Sequence, residues 1–216
     1  RQMCIRDRYI SSLYGTKKNI WIGTDEGIYI YAYATETFTY FDLTTPNNVR
    51  ITSIVNHILQ DKDGNLWFST NGQGLFRYNL SKNYLEQYEF TSAFGIVAST
   101  MADSDNQIWA LTNQGESGVY KLNKAENKFE PFGLLYNAGN HHSQALAMLE
   151  DSEQTLWLGT WECGLQKIDK YTRQTTTYLH PTDGKGVTHI HSLMEYAPHQ
   201  LLIGSDDGLL LFNTLT

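Results

Sequence analysis

Residues 61–76 read Asp61-Lys62-Asp63-Gly64-Asn65-Leu66-Trp67-Phe68-Ser69-Thr70-Asn71-Gly72-Gln73-Gly74-Leu75-Phe76, and this stretch decides the fold. It reads as a strand end, a tight polar turn, a strand through Trp67, a glycine turn and another strand. Gly64 tolerates positive φ, and Asp and Asn hydrogen-bond their own backbone, so Asp-Gly-Asn supplies the turn. The pattern recurs around Trp21 (Ile20-Trp21-Ile22-Gly23-Thr24), Trp109 (Ile108-Trp109-Ala110-Leu111-Thr112) and Trp157 (Leu156-Trp157-Leu158-Gly159-Thr160). A fifth copy, Leu201-Leu202-Ile203-Gly204-Ser205, has Leu202 in the tryptophan's place. Successive copies lie 46, 42, 48 and 45 residues apart. A period near 45 marks a repeat whose units cannot bury their apolar faces alone.

Each tryptophan strand is followed by a glycine turn and an alternating strand, such as Gly27 to Tyr31, Gly74 to Tyr78, Gly118 to Leu122, Gly164 to Ile168 and Gly208 to Phe212. A polar turn then leads to a fourth strand: Phe38 to Leu43, Leu85 to Phe90, Lys128 to Phe132 and Thr175 to Leu179. The strand before each tryptophan is Ile51 to Gln60, Gly95 to Ala102, Ser143 to Glu150 or Val187 to Glu195. Period-two patterning with β-branched and aromatic residues between turn signals predicts short antiparallel strands. Ala145 to Leu149 favours helix by propensity, but its place in the repeat predicts a strand.

Four strands every 40–50 residues are the blades of a β-propeller. The reading is therefore all-β, with about five blades at 9–43, 49–90, 94–134, 141–180 and 187–216. The last lacks its fourth strand, which suggests an open arc of a larger ring; a closed five-bladed ring is the alternative. Trp21, Trp67, Trp109, Trp157 and Leu202 are assigned to the core. Burying an indole removes roughly 150–250 Å² from water, worth on the order of 4–6 kcal/mol. Arg1 to Arg8 fits no repeat and is read as a non-native or disordered leader.

Charged residues make up 18% and aromatics 13% of the 216 residues, which argues against disorder. A formal charge of −7 makes this segment an unsuitable nucleic-acid binder. Cys4 and Cys163 give neither a CxxC motif nor a disulfide framework. No apolar run approaches a membrane span, and no signal peptide is visible.

With these motifs in place, the chain resembles the two-component regulator propeller family, whose repeats read D-x-x-G-x-L-W-I-G-T-x-x-G-L-x-x-Y/D. The best copies are Asp61 to Tyr78 and Asp151 to Asp169. The latter has Gln154 where the turn glycine stands, the first copy has Gly15 where Asp is expected, and the fifth has Glu195-Tyr196-Ala197-Pro198-His199 in the turn. The resemblance implies seven-bladed propellers in the extracytoplasmic sensor region of a membrane-bound regulator, often responding to glycan breakdown products. It further implies a periplasmic region of an inner-membrane protein, whose partners are the rest of the sensor chain and a second protomer. Kinase, receiver, DNA-binding and membrane-spanning parts would lie outside this segment.

Candidate ligand-binding residues lie on the loops that follow the second strand of each repeat and on those that join repeats. They are Asp25 and Glu26, Asn71 and Gln73, Asn113, Trp161 and Glu162, Asp206 and Asp207, with His141 and His142 between repeats. Acidic and amide groups beside an aromatic ring suit an oligosaccharide, since hydroxyls need acceptors and a ring face stacks on a pyranose. Trp161 stands out because a turn does not demand it for packing. A calcium loop at Asp61 fails, because the twelfth position is Gly72. His189-x-His191 lacks a third zinc ligand at recognisable spacing. No cofactor, metal or catalytic residue is assigned, and no GxSxG, HExxH or phosphate loop is present. The reading is a non-enzymatic sensor; a carbohydrate lyase or hydrolase and a ligand-free interaction scaffold are the alternatives.

Overall fold

The computed structural model describes residues 8–90, 95–112, 118–134, 144–180 and 186–215. Those residues contain nineteen strands and no helix. The first repeat supplies β1 (Ile10–Gly15), β2 (Asn19–Thr24), β3 (Gly27–Ala32) and β4 (Thr37–Tyr40), and the second β5 (Val55–Gln60), β6 (Leu66–Thr70), β7 (Leu75–Asn79) and β8 (Tyr84–Tyr88). The third supplies β9 (Val97–Ala102), β10 (Ile108–Thr112), β11 (Gly118–Asn123) and β12 (Lys128–Leu134). The fourth contains β13 (Ala145–Glu150), β14 (Leu156–Thr160), β15 (Leu165–Ile168) and β16 (Thr175–Tyr178); the fifth has β17 (Ile190–Ala197), β18 (Gln200–Ser205) and β19 (Gly208–Asn213). The repeat prevails over helix propensity at Ala145–Glu150, which is a strand. The expected first and fourth strands are mostly shorter than their sequence patterns, because the flanking residues run into turns.

Two compact units divide in the turn between β9 and β10. In the first, β1 to β4 and β5 to β8 form two antiparallel sheets in sequence order, and β9 follows. In the second, β10 to β12 pair in order, β13 to β16 form a four-stranded sheet and β17 to β19 a three-stranded one.

Within each unit an indole from one sheet wedges against the next sheet. Trp21 packs beside Phe41 and Phe68 at ring separations of 5.5 and 5.8 Å, in a core with Val55, Leu66 and Phe76. Trp157 meets Phe212 at 5.8 Å, in a core with Ile190, Leu201 and Ile203. For these two indoles the acceptor includes the residues flanking the next tryptophan position, Leu66 and Phe68 for Trp21 and Leu201 and Ile203 for Trp157. On its own sheet, each of three indoles carries a cation from the paired strand: Arg77 over Trp67, Lys121 over Trp109 and Lys167 over Trp157, at 5.2–5.8 Å.

The turn aspartate has a role beyond backbone capping. Asp61 Oδ1 accepts from the amides of Asp63 and Asn65, and Oδ2 accepts from the Trp67 indole N–H at 2.7 Å. Asp103 repeats this bond with Trp109 at 3.0 Å and Asp151 with Trp157 at 2.6 Å. The six-residue Asp-to-Trp spacing is thus set by a side-chain hydrogen bond. In the first repeat the expectation at Gly15 is corrected: Thr16 occupies the aspartate's place in a turn one residue shorter. Its hydroxyl accepts from the amides of Lys18 and Asn19. Where Gly64 takes φ +82°, Gln154 takes +61°, so that side chain is held in the left-handed region.

Where glycine precedes the Thr of the motif, at Gly23 and Gly159, it serves close approach. A Cβ on Gly159 would lie 2.5 Å from Ile190 Cγ2 and 2.9 Å from its carbonyl oxygen, and one on Gly23 would lie 2.8 Å from the Val55 carbonyl. Four first strands, β1, β5, β13 and β17, also carry an extra residue opposite that position, at Ser11, Asn56, Leu146 and His191. Such bulges re-aim a side chain. Ser11 and Asn56 use theirs to donate to the carbonyls of Val55 and Val97 at the start of the next first strand.

Two further ties bind neighbouring repeats in the second unit. Ser104 donates to Glu150 and Ser152 to Glu195, joining each turn to the end of the following first strand. Lys170, only 6% exposed, reaches Glu150 and Asp105 at 2.9 Å and Asp103 at 3.8 Å. Burial works against its charge, but the hydrogen bonds to Glu150 and Asp105 and the nearby Asp103 outweigh it and hold the ammonium above its ordinary range.

The assignment of Leu202 to the core is corrected. It is half-buried, whereas Leu201 and Ile203 are fully buried. Leu202 lies on the face that carries tryptophan in earlier sheets, paired with Met194 and Leu211. Met194, Leu209 and Leu211 on that side are 54–73% exposed, so no sheet among the described residues covers it.

Candidate functional site

The loops after the second strands differ sharply in what they leave available. In the first unit, Glu26 pairs with Arg8, and one carboxylate oxygen of Asp25 is buried without a hydrogen bond. Gln73 is committed to its neighbours: Oε1 accepts from the amides of Thr52 and Ser53, and Nε2 donates to the Arg50 carbonyl. That amide ties down the segment joining two repeats. Asn71 is exposed, with its backbone N–H bonded to the Ile54 carbonyl. Asn113, His141 and His142 lie outside the described residues.

In the second unit the structure brings Trp161 and Asp206 together with His189 and His191. Thr160 Oγ1 donates to the Gly164 carbonyl and accepts from the Cys163 amide. This tight loop buries Cys163 and turns Trp161 and Glu162 outward, leaving Trp161 39% exposed. Trp161 is tied on both sides: its N–H donates to the Gln144 carbonyl, and its carbonyl accepts from the His189 N–H at 2.9 Å. His189 adopts φ +54°, and His191 is the extra residue of the β17 bulge.

These backbone constraints set the side chains. The His189 ring lies against the Trp161 ring at 3.9 Å between centroids and 38° between planes. His191 presents an edge to Trp161 at 6.4 Å and 84°. The Asp206 carboxylate joins the two imidazoles, with Oδ2 2.6 Å from His189 Nδ1 and Oδ1 2.7 Å from His191 Nε2. The hydrogen bonds from His191 and His189 hold the Asp206 carboxyl below its ordinary range. Where Ser11 and Asn56 bond across to the next first strand, the bulge residue here turns to its own sheet's loop.

With Asp206 ionised, a neutral His189 carries its proton on Nδ1 and a neutral His191 on Nε2. The opposite nitrogens, His189 Nε2 and His191 Nδ1, are then acceptors aimed away from Asp206. An aromatic face beside two acceptors suits a ring compound bearing hydroxyls. Among the described residues no group of three or more His, Cys, Asp or Glu is arranged to hold a metal ion. The inward imidazole nitrogens already face carboxylate oxygens. Asp207 and Glu162 are exposed beside the cluster. His189 and His191 enter the site through Asp206, a partner that their own spacing does not reveal.

Residues 48–72 match the family model described as two component regulator propeller. They contain the turn, the indole bond and the strand that define the second repeat. Residues 48–72 are thus a repeat of the two-component regulator propeller type. Over 96% of its length the chain is 27% identical to histidine kinase P4 of Formosa agariphila, covering 16% of that protein. The extracellular domain assigned to the one component system BT4673 of B. thetaiotaomicron superposes with a TM-score of 0.76. It is 25% identical over 96% of this chain and 27% of that one. This propeller segment thus spans about a quarter or less of the length of these relatives. Virginiamycin B lyase of Staphylococcus aureus matches with a TM-score of 0.65 and 17% identity, over 97% of this chain and 70% of that one, a likeness of fold alone.

Proposed function

We propose that this two-component regulator propeller segment is part of the extracytoplasmic ligand-sensing region of a bacterial membrane-bound regulator, and that its ligand is a glycan-derived saccharide. The observation that carries the saccharide reading is the exposed Trp161 ring set beside His189, His191 and Asp206. The likeness to histidine kinase P4 and to the BT4673 extracellular domain supports the sensor role and its location outside the cytoplasm. A pyranose stacks on the open side of the indole, and its hydroxyls donate to the outward imidazole nitrogens. Binding orders the loop after β14 against the start of β17, and that altered packing passes to the rest of the regulator and to a second protomer. The segment performs no chemistry on its ligand.

The test is thermal unfolding with a panel of neutral and acidic oligosaccharides. A ligand at 100 times its Kd adds about 2.7 kcal/mol. At least one saccharide raises Tm in the wild type, remains unchanged on incubation and has no effect on Trp161→Ala. Stabilisation by none of the panel refutes the saccharide reading, and product formation refutes the non-catalytic one.

A further inference from the structure

We propose that His189, His191 and Asp206 form a proton-operated latch on Trp161, so that the pH outside the cell sets how firmly this side of the ligand site is held. The inference concerns regulation of the site proposed above. Its readout needs no ligand, so failure of the latch and failure of the saccharide reading are separable.

The geometry carries the proposal. His189 has one ring face against the indole at 3.9 Å and one nitrogen on Asp206 at 2.6 Å. Adding a proton to Nε2 leaves the Nδ1–H bond to Asp206 in place and makes it charge-assisted. The same proton turns the stack on Trp161 into a cation–π contact. Both changes tighten the hold on the loop after β14. His191 shares the carboxylate without covering the indole, so its proton adds to the Asp206 bond and leaves the stack unchanged.

The other charged groups of these two loops are Glu162 beside Trp161 and Asp207 beside Asp206, both exposed, and β17 itself carries Glu195, which is engaged with Ser152. The depressed Asp206 carboxyl keeps the shared acceptor ionised throughout the imidazole range. Protonation also removes the outward acceptor nitrogens. Acid therefore stiffens the loop while it withdraws two acceptors from a hydroxyl-bearing ligand.

The experiment is intrinsic fluorescence of the folded chain from pH 8 to pH 5, with Trp161→Phe as the subtraction that isolates this indole. A protonated imidazole in face contact quenches tryptophan. The Trp161 contribution should fall sigmoidally across the range in which histidine changes charge. His189→Gln and Asp206→Ala abolish the transition, whereas His191→Gln retains it because the stack remains. Circular dichroism at each pH confirms that the variants are folded. Long-range ¹H–¹⁵N spectra of the wild type at pH 8 should show His189 protonated on Nδ1 and His191 on Nε2. A signal flat between pH 8 and pH 5, a transition that persists in His189→Gln, or the opposite tautomers would each overturn the proposal.

Discussion

Replacing Asp151 by Ala tests whether the motif's aspartate is read by the indole or only by its turn. Asp151 accepts from the amides of Glu153 and Thr155 at 3.0 and 2.9 Å and from the Trp157 N–H at 2.6 Å. A hydrogen bond to a charged group contributes about 1.5–3 kcal/mol net, and a stranded buried donor costs about 1–3 kcal/mol. The two amides sit in a polar turn where water replaces part of the loss. Trp157 is 0% exposed, so its N–H has no such substitute. The substitution should therefore cost about 3–5 kcal/mol in urea unfolding followed by circular dichroism. In a cycle with Trp157→Phe, the coupling energy should be about 1.5–3 kcal/mol. Thr16→Ala is the internal control: Thr16 caps its turn through a hydroxyl and should cost only about 1 kcal/mol. A loss below about 1 kcal/mol for Asp151→Ala, or a coupling indistinguishable from zero, would refute the reasoning.

Three other outcomes follow from features of the two units. Gly159→Ala drives a methyl into Ile190 and its carbonyl and should destabilise by about 1–3 kcal/mol, read as a lowered urea midpoint. Lys170→Met leaves the buried carboxylate of Asp103 and the partly buried one of Glu150 without their cation and should cost about 3–5 kcal/mol, measured the same way. His57 is half-buried beside Thr100, and burial lowers its pKa. Below the ordinary imidazole value of about 6.5, the unfolded chain takes up a proton that the folded chain resists. Stability should therefore fall as pH drops below that value, and His57→Gln should flatten this part of the pH profile.

Much of the fold was legible because it repeats. The spacing of Trp21, Trp67, Trp109, Trp157 and Leu202 located every module, and the repeat correctly prevailed over helix propensity at Ala145–Glu150. Local pattern alone could not show ties made one module apart. Ser104 with Glu150 and Ser152 with Glu195 are 46 and 43 residues distant. Their signal is a Ser after the turn aspartate combined with a Glu ending the next first strand, visible once the copies are aligned. Thr16 was missed because the first turn is a residue shorter. Leu202 was misplaced because position in the motif fixes which face a side chain takes, whereas burial depends on a neighbouring sheet. At the candidate site, Trp161 was legible as a turn residue that packing does not require, and Asp206 only as an acidic loop residue for which backbone capping was the stronger reading. The His-x-His pair was weighed only as a metal site, because the bulge that re-aims His191 toward Asp206 leaves no mark in composition.

The bare side of the last sheet has a practical consequence for anyone handling this polypeptide by itself. Met194, Leu209 and Leu211 form a greasy plateau on the face that carries tryptophan in earlier modules. Such a plateau seeks a lid, and in concentrated solution the nearest lid is another molecule. Swapping Leu209 and Leu211 for Lys and Thr would supply the polar end-cap that stacked-repeat proteins need for solubility. Neither change would touch Trp161 or the histidines around it.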